Sequence, residues 1–212
     1  MGREFVEIFD EWVETYDDSV SGKDEEYQAV FAGYDAILDE VASLAKGRTI
    51  EFGTGTGNLT EKLLIKGLDV LGIEPNGAMR ARTQERFPKL DLADGDFMEF
   101  PLDGKPVDTF VSTYAFHHLT DDEKAKAAAL YGSLLQQGGQ VVFADTIFKN
   151  EEAKLARWKK VEEQGYHNLL EDLKREYYTT VPVMEKLFID AGFTVTFKQL
   201  NEYAWLIHAI KA

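Results

Sequence analysis

The 212-residue chain contains no cysteine. That absence removes disulfide staples, cysteine nucleophiles, thiolate zinc sites and iron–sulfur clusters together, and it fits a reducing compartment. Long apolar runs are missing as well. No stretch approaches the length needed to cross a bilayer, and the opening Met1-Gly2-Arg3-Glu4-Phe5-Val6-Glu7 has no apolar core of a signal peptide. The expected location is cytoplasmic, with no membrane partner. Positive charge is scarce: 23 basic residues stand against 38 acidic ones, for a formal net charge of −15. A field of that sign repels phosphate backbones and anionic lipid, so nucleic acid is not an expected partner.

What is present suits one folded domain. The hydrophobic fraction of 44% and aromatic fraction of 12% are those of a globular chain, not a disordered one, and this length buries a full core. Residues 1–46 read as two helices, with apolar residues at helical spacing: Phe5, Ile8, Phe9, Trp12, Val13 and Tyr16, then Val30, Phe31, Tyr34, Ile37, Leu38, Val41 and Leu44. From Arg48 short apolar strands alternate with helices. Strands are expected at Thr49–Phe52, Asp69–Ile73, Leu90–Ala93, Thr109–Ser112 and Gln140–Ala144, and helices at Leu59–Lys66, Met79–Phe87 and Asp121–Gln136. That alternation predicts βαβ units and a parallel sheet. A charged helix over Glu151–Arg175 and another over Val181–Ala191 follow. Phe193–Leu200 and Tyr203–Ile210 are then separated only by Asn201-Glu202. Strands joined so tightly pair antiparallel, because a parallel return needs a crossover of a dozen or more residues.

The sharpest motif is Glu51-Phe52-Gly53-Thr54-Gly55-Thr56-Gly57-Asn58, between a predicted strand and a predicted helix. Glycines let the backbone turn tightly and approach a ligand closely. The dinucleotide pattern G-x-G-x-x-G fails in both registers, since its third glycine would fall on Asn58 or on Thr60. A Walker loop needs Gly-Lys-Ser/Thr, and Gly57 is followed by Asn58-Leu59. Glu51, two residues before the first glycine, would oppose a pyrophosphate but suits a ligand carrying an ammonium and a sulfonium. S-adenosylmethionine carries both and has no phosphate. Glu74 ends the second strand, 17 residues after Gly57, where a carboxylate can accept from both ribose hydroxyls. Asp96, in Asp94-Gly95-Asp96-Phe97 after the third strand, can accept from an adenine amino group, and Phe97 offers a backbone N–H and an aromatic face. The three acids form a row outside the carboxyl ends of the strands, where open α/β sheets bind ligands.

These residues resemble the class I S-adenosylmethionine-dependent methyltransferases. The family's first motif is matched by Glu51, Gly53, Gly55 and Gly57, its ribose acid by Glu74, its adenine-side acid by Asp96, and its segment after strand four by residues 107–119, ending Phe116-His117-His118-Leu119. Over its whole length the chain also looks like the YrrT-type methyltransferases of Gram-positive bacteria. The resemblance implies an α/β, Rossmann-like, seven-stranded sheet, mostly parallel with an antiparallel C-terminal hairpin. It implies one domain: an N-terminal helical cap at 1–46, an S-adenosylmethionine-binding core at 48–146, a helical substrate-side insertion at 147–180, and a last helix and hairpin at 181–212. Tyr16 resembles a tyrosine that closes over the donor in related enzymes.

Methyl transfer from a sulfonium is an in-line displacement, helped mainly by alignment and exclusion of water. A general base is needed only when the acceptor must lose a proton. His117 and His118 are the candidates for that role, ranked behind covering the donor and packing the loop. A metal would want a third ligand, for which Asp145 is the obvious residue, and no metal is expected. Trp158, Tyr166, His167, Tyr177 and Tyr178 lie where the family inserts substrate-selecting elements. The expected product is S-adenosylhomocysteine, the acceptor a small molecule, and the assembly a monomer or homodimer. The competing readings are an NAD(P)-dependent oxidoreductase, a non-catalytic S-adenosylmethionine-binding protein and a nucleic-acid methyltransferase. Against the last, Ser112-Thr113-Tyr114-Ala115 lacks the Asn/Asp-Pro-Pro-Tyr/Phe motif used on base amines.

Overall fold

The computed structural model describes Val20 and residues 22–102 and 104–212. The expected first helix, with Tyr16, lies outside them. In chain order the elements are α1 (Tyr34–Leu44), β1 (Arg48–Phe52), α2 (Asn58–Ile65), β2 (Asp69–Ile73), α3 (Gly77–Arg86), β3 (Asp91–Ala93) and β4 (Val107–Thr113). A 3-10 turn (Phe116–His118) leads to α4 (Asp121–Leu134), β5 (Leu135–Thr146), α5 (Glu151–Gln164), α6 (His167–Arg175), α7 (Val181–Asp190), β6 (Phe193–Gln199) and β7 (Ala204–Lys211). The seven strands form one sheet in the order β3-β2-β1-β4-β5-β7-β6. Strands β1 to β5 pair in parallel, and β7 runs antiparallel between β5 and β6.

The strands' alternation divides the core into two layers. Ile50 and Phe52 of β1, Phe110 of β4, Phe143 of β5 and Ile207 of β7 pack on one face, with Ala127, Ala128 and Tyr131 of α4 and Met184 and Phe188 of α7. Their neighbours one residue along, Val111, Val142 and Leu206, point to the other face and meet Ile37, Leu38 and Val41 of α1 and Leu59 and Leu63 of α2. Successive strand side chains point to opposite faces, so apolar residues at consecutive positions mark a sheet covered on both sides. A third cluster, with Phe148, Val161, Leu169 and Leu173, joins α5 and α6 to Val30 and Tyr203.

Three expected boundaries are corrected. The helix read from Val30 begins at Tyr34, because Gly33 takes a left-handed φ of 74° at its entrance. The helix expected over Glu151–Arg175 is two helices. Gly165, at φ 75°, caps α5 by donating its N–H to the carbonyls of Val161 and Glu162, a left-handed C-terminal stop. The helix expected to reach Gln136 ends at Leu134, and β5 starts at Leu135 with a register shift against β4 before Thr109↔Gln140. Helix α4 is launched by a capping box: the Thr120 hydroxyl accepts from the Glu123 N–H, and the Glu123 carboxylate accepts from the Thr120 N–H. Replacing Thr120 by Ala removes that cap and is expected to lower stability by about 1 kcal/mol, read as a shift in the urea midpoint at constant m-value.

Candidate active site

The glycine turn between β1 and α2 takes left-handed backbone at each of its glycines, with φ of 68° at Gly53, 55° at Gly55 and 88° at Gly57. Their surroundings differ. A Cβ on Gly53 would stand 3.1 Å from that of Ala115, and one on Gly57 would meet the Phe87 ring at 2.7 Å. A Cβ on Gly55 would meet no protein atom within 4 Å. Gly57 therefore serves helix packing, whereas Gly55 exposes backbone at a concave surface. The sequence did not single out Thr54, whose hydroxyl oxygen is buried without a hydrogen-bond partner. Buried hydroxyls nearly always find a partner, so one without calls for an explanation, of which a bound ligand or an ordered water is one.

Glu51 and Glu74 flank this turn. Glu51 lies in β1 beside Gly72 of β2 and Val111 of β4, and its carboxylate accepts a 2.6 Å hydrogen bond from the Thr60 hydroxyl. Glu74 follows β2 and ties two loops together, one oxygen accepting from the Gly55 N–H at 2.9 Å and the other from the Asn76 N–H at 2.9 Å. Both acids are buried. Burial, with repulsion from Glu74, pushes the Glu51 carboxyl up to about 8 despite the Thr60 bonds. Burial pushes Glu74 up to about 7 against its two backbone donors. Asp96 is buried after β3, one oxygen accepting from the N–H groups of Met98 and Glu99 at 2.9 Å each. The Phe97 ring is committed to the core, with its centroid 5.1 Å from Phe52 and 5.2 Å from Phe116. The structure thus brings Glu51, Glu74 and the glycines to one turn, with Asp96 following the next strand outward.

On the other side of β1, the chain leaves β4 through Tyr114, whose φ of 52° makes it the one described non-glycine residue in the left-handed region. Such strain in a tyrosine persists only where its surroundings hold it, and it concentrates at functional sites. Its ring packs on Phe31 and Tyr34, and its N–H donates to the Ala144 carbonyl. His117 and His118 follow, with ring centroids 4.2 Å apart. Asp145, at the end of β5, accepts from the His117 N–H at 2.9 Å and meets its Nδ1 at 2.6 Å. Burial lowers the His117 pKa, but the Asp145 charge and hydrogen bond and the Glu176 charge outweigh it and raise the value. Burial and the neighbouring His117 lower that of His118. Together with Tyr27, Phe31, Tyr114, Asp172, Glu176 and Tyr178, the histidines line a cavity of about 80 Å³ under α6. Of the aromatic residues expected in the substrate-side segment, Tyr178 reaches this cavity, stacked 4.7 Å from His117. Trp158 and Tyr166 pack against the third core cluster instead. Among the described residues no helix is long and apolar enough to cross a membrane.

A glycine turn after β1, acids after β2 and β3 and an antiparallel β7 inserted beside β5 define the class I methyltransferase architecture. Comparison with known proteins agrees. The methyltransferase domain family matches residues 50–139. An uncharacterized methyltransferase of Geobacillus sp. strain WCH70 is 53% identical over 212 residues, covering 100% of both chains. One of Bacillus cereus strain ATCC 14579 is 50% identical over the same span. Among solved structures, magnesium protoporphyrin IX methyltransferase from Synechocystis PCC 6803 with bound S-adenosylhomocysteine aligns with a TM-score of 0.68 at 17% identity, covering 96% of this chain and 97% of that one. Streptomyces venezuelae DesVI aligns at 0.64 and 16% identity over 88% and 95%. The chain belongs to the class I S-adenosylmethionine-dependent methyltransferases, and within them to the family of these Bacillus and Geobacillus proteins.

The two raised carboxyls make the ligand-free protein sensitive to base. Their folded pKa values exceed the unfolded value of 4.5, so the folded state binds more protons between those limits. Stability is then complete below the unfolded value and falls as pH rises through about 7 and 8. Thermal melts of ligand-free protein across this range are expected to show that fall, and Glu51→Gln to remove the part near pH 8. A melting temperature that rises with pH in this window contradicts the assignment.

Proposed function

We propose that the protein transfers a methyl group to a small-molecule acceptor by in-line displacement, and that the turn after β1 holds the donor. The observation that carries this reading is the pair of buried, protonatable carboxyls at a glycine turn. Burial raises both pKa values, and a cationic ligand beside them would bring them down. S-adenosylmethionine supplies the methyl group on a sulfonium and also bears an ammonium. In this assignment Glu51 faces the ammonium, and the backbone of Gly53, Gly55 and Gly57 with the Thr54 hydroxyl cradles the amino-acid end. The lone pairs of Glu74 not used by Gly55 and Asn76 accept from the ribose hydroxyls. Asp96 accepts from the adenine amino group, and Phe97 contributes its backbone N–H, since its ring serves the core. Tyr16 is assigned to closing over the donor. The acceptor side is the cavity under α6, and the segment 147–180 covers it as the substrate-selecting part of a single domain.

Alignment and exclusion of water supply most of the help such a displacement needs. The aromatic lining of the cavity and the cover of α5 and α6 suit that task. The acidic surface supports a small acceptor over a nucleic acid, because the formal charge of −15 opposes a polyanion.

Calorimetry with S-adenosylmethionine, S-adenosylhomocysteine and NADH tests the donor assignment. Binding of the first two in the micromolar range, with none of NADH, is expected, and Glu74→Ala should weaken it by about tenfold or more, the loss of a charged hydrogen-bond pair. Binding of NADH instead would return the chain to the oxidoreductase reading, and tight binding without turnover on an acceptor panel would mark a non-catalytic binder. Because ligand-free Glu51 is protonated near neutral pH, uptake of the cationic donor should release protons. The apparent heat is therefore expected to vary with the buffer's ionisation enthalpy, and Glu51→Gln to reduce that dependence to the share contributed by Glu74.

A further inference from the structure

We propose that His117, His118 and Glu176 form a binding site for a divalent transition-metal cation of the zinc and cobalt class, oriented by Asp145. The site is independent of the donor turn. One ligand atom from each of the three residues lies within 4.8 Å of the other two. His117 Nε2 and Glu176 Oε2 stand 3.4 Å apart, too far for a strong hydrogen bond. Two atoms each bonded at about 2.1 Å to a tetrahedral ion are separated by about 3.4 Å. The pair is therefore spaced as ligands, not as hydrogen-bond partners.

The surrounding contacts are those a metal-bound imidazole requires. Asp145 engages His117 Nδ1 at 2.6 Å while its other oxygen accepts from the His117 backbone N–H at 2.9 Å. This fixes the ring so that Nε2 points away from β5 toward Glu176. A carboxylate on the far nitrogen is the usual second partner of a ligating histidine. Tyr178 holds the other side, stacking on His117 and donating its hydroxyl to Glu176 at 2.5 Å. The His117 and Glu176 side chains are 10% exposed each and Asp145 behind them 2%, so these two ligands and their support sit largely out of water.

Charge favours a cation. Asp145, Asp172 and Glu176 bring three carboxylates to one buried region, and Arg175 engages two of them, at 2.6 Å and 3.7 Å. The buried Lys124 ammonium is directed elsewhere, to the carbonyls of Leu119 and Tyr177 and to Asp121. Two imidazoles and one carboxylate leave a coordination position open, as in catalytic and not structural metal sites. That position borders the cavity under α6, where a coordinating nitrogen, oxygen or sulfur of a small molecule would reach it. The sequence leads to no expected metal and offers Asp145 as the obvious third ligand for one; in the proposed site Asp145 instead supports His117 from behind, and Glu176 takes the ligand position.

The test uses untagged protein stripped with a chelator and exchanged into metal-free buffer. Titration with Co²⁺ is followed by visible d–d absorption, and Zn²⁺ is then added in competition. One equivalent of Co²⁺ with an intense low-symmetry band, displaced by Zn²⁺, is expected. Glu176→Gln and His118→Asn should abolish the band while circular dichroism stays native. Asp145→Asn should keep it but weaken affinity by roughly 10–100-fold, and the exposed Glu185→Gln should change nothing. A wild-type protein that gives no band, or a band that survives unchanged in both ligand variants, overturns the proposal and leaves His117 as a clamp between Asp145 and Glu176. The wild-type titration decides by itself should a variant fail to fold, and neither outcome bears on donor binding at the turn after β1.

Discussion

A parallel sheet covered on both faces leaves its polar chemistry one place to go, the edge where the strands end. In this protein both faces are closed, by α4 and α7 on one side and by α1 and α2 on the other. Most side chains inside the strands are therefore spent on packing. The loops leaving β1 and β4, neighbours in the sheet whose connections pass to opposite faces, open the crevice. The acids, the strained tyrosine and the histidines gather about that crevice because burial excludes them from the rest of the sheet.

The same constraint explains why the site's carboxyls are unusual. Glu51 is placed within β1, not in the solvated loop after it, so it has lost water and gained only Thr60 in return. Glu74 has two backbone donors, one of them the Gly55 N–H, so the acid that follows β2 also fixes the turn that follows β1. Loop geometry and charge are coupled there: a substitution at Glu74 removes a buried carboxyl and loosens the glycine turn together. Asp96 serves its own loop in the same way, holding the N–H groups of Met98 and Glu99. Glu74 and Asp96 thus each hold backbone N–H groups, which fixes the loops at the strand ends.

How much of this the sequence revealed depends on how local each feature is. The glycine turn and the acids of β1, β2 and β3 are read within 46 residues, from Glu51 to Asp96, because each sits at a fixed step of the βαβ alternation. The hairpin was legible from the two residues, Asn201-Glu202, that leave no room for a crossover. Helix boundaries are less so, because a single left-handed glycine bounds a helix whose apolar pattern runs past it, Gly33 at the start of α1 and Gly165 at the end of α5. Thr54 is not legible in the sequence, since a hydroxyl between two glycines has no pattern of its own, and only its lack of a partner distinguishes it. The Phe97 ring could not be assigned from spacing, because the side it takes is decided by Phe52, Phe116 and Phe143.

The histidine cluster marks the limit of that legibility. His117 belongs to the turn after β4, Asp145 to the end of β5 and Glu176 to the residue after α6, so 59 positions separate the first from the last. No periodicity connects them; the sheet order does, by setting β5 beside β4 and by returning α6 over the ends of both. In sequence Glu176 is one acid among 38. Gly165 ends the helix that precedes it, and α6 then brings Glu176 to His117 while Glu26 meets the Leu169 N–H and Tyr27 meets Asp172. A glycine that reads as a minor interruption in a charged helix therefore sets where α6 lies over the cavity. The glycine turn is written in a motif, whereas the histidine cluster is written in a topology.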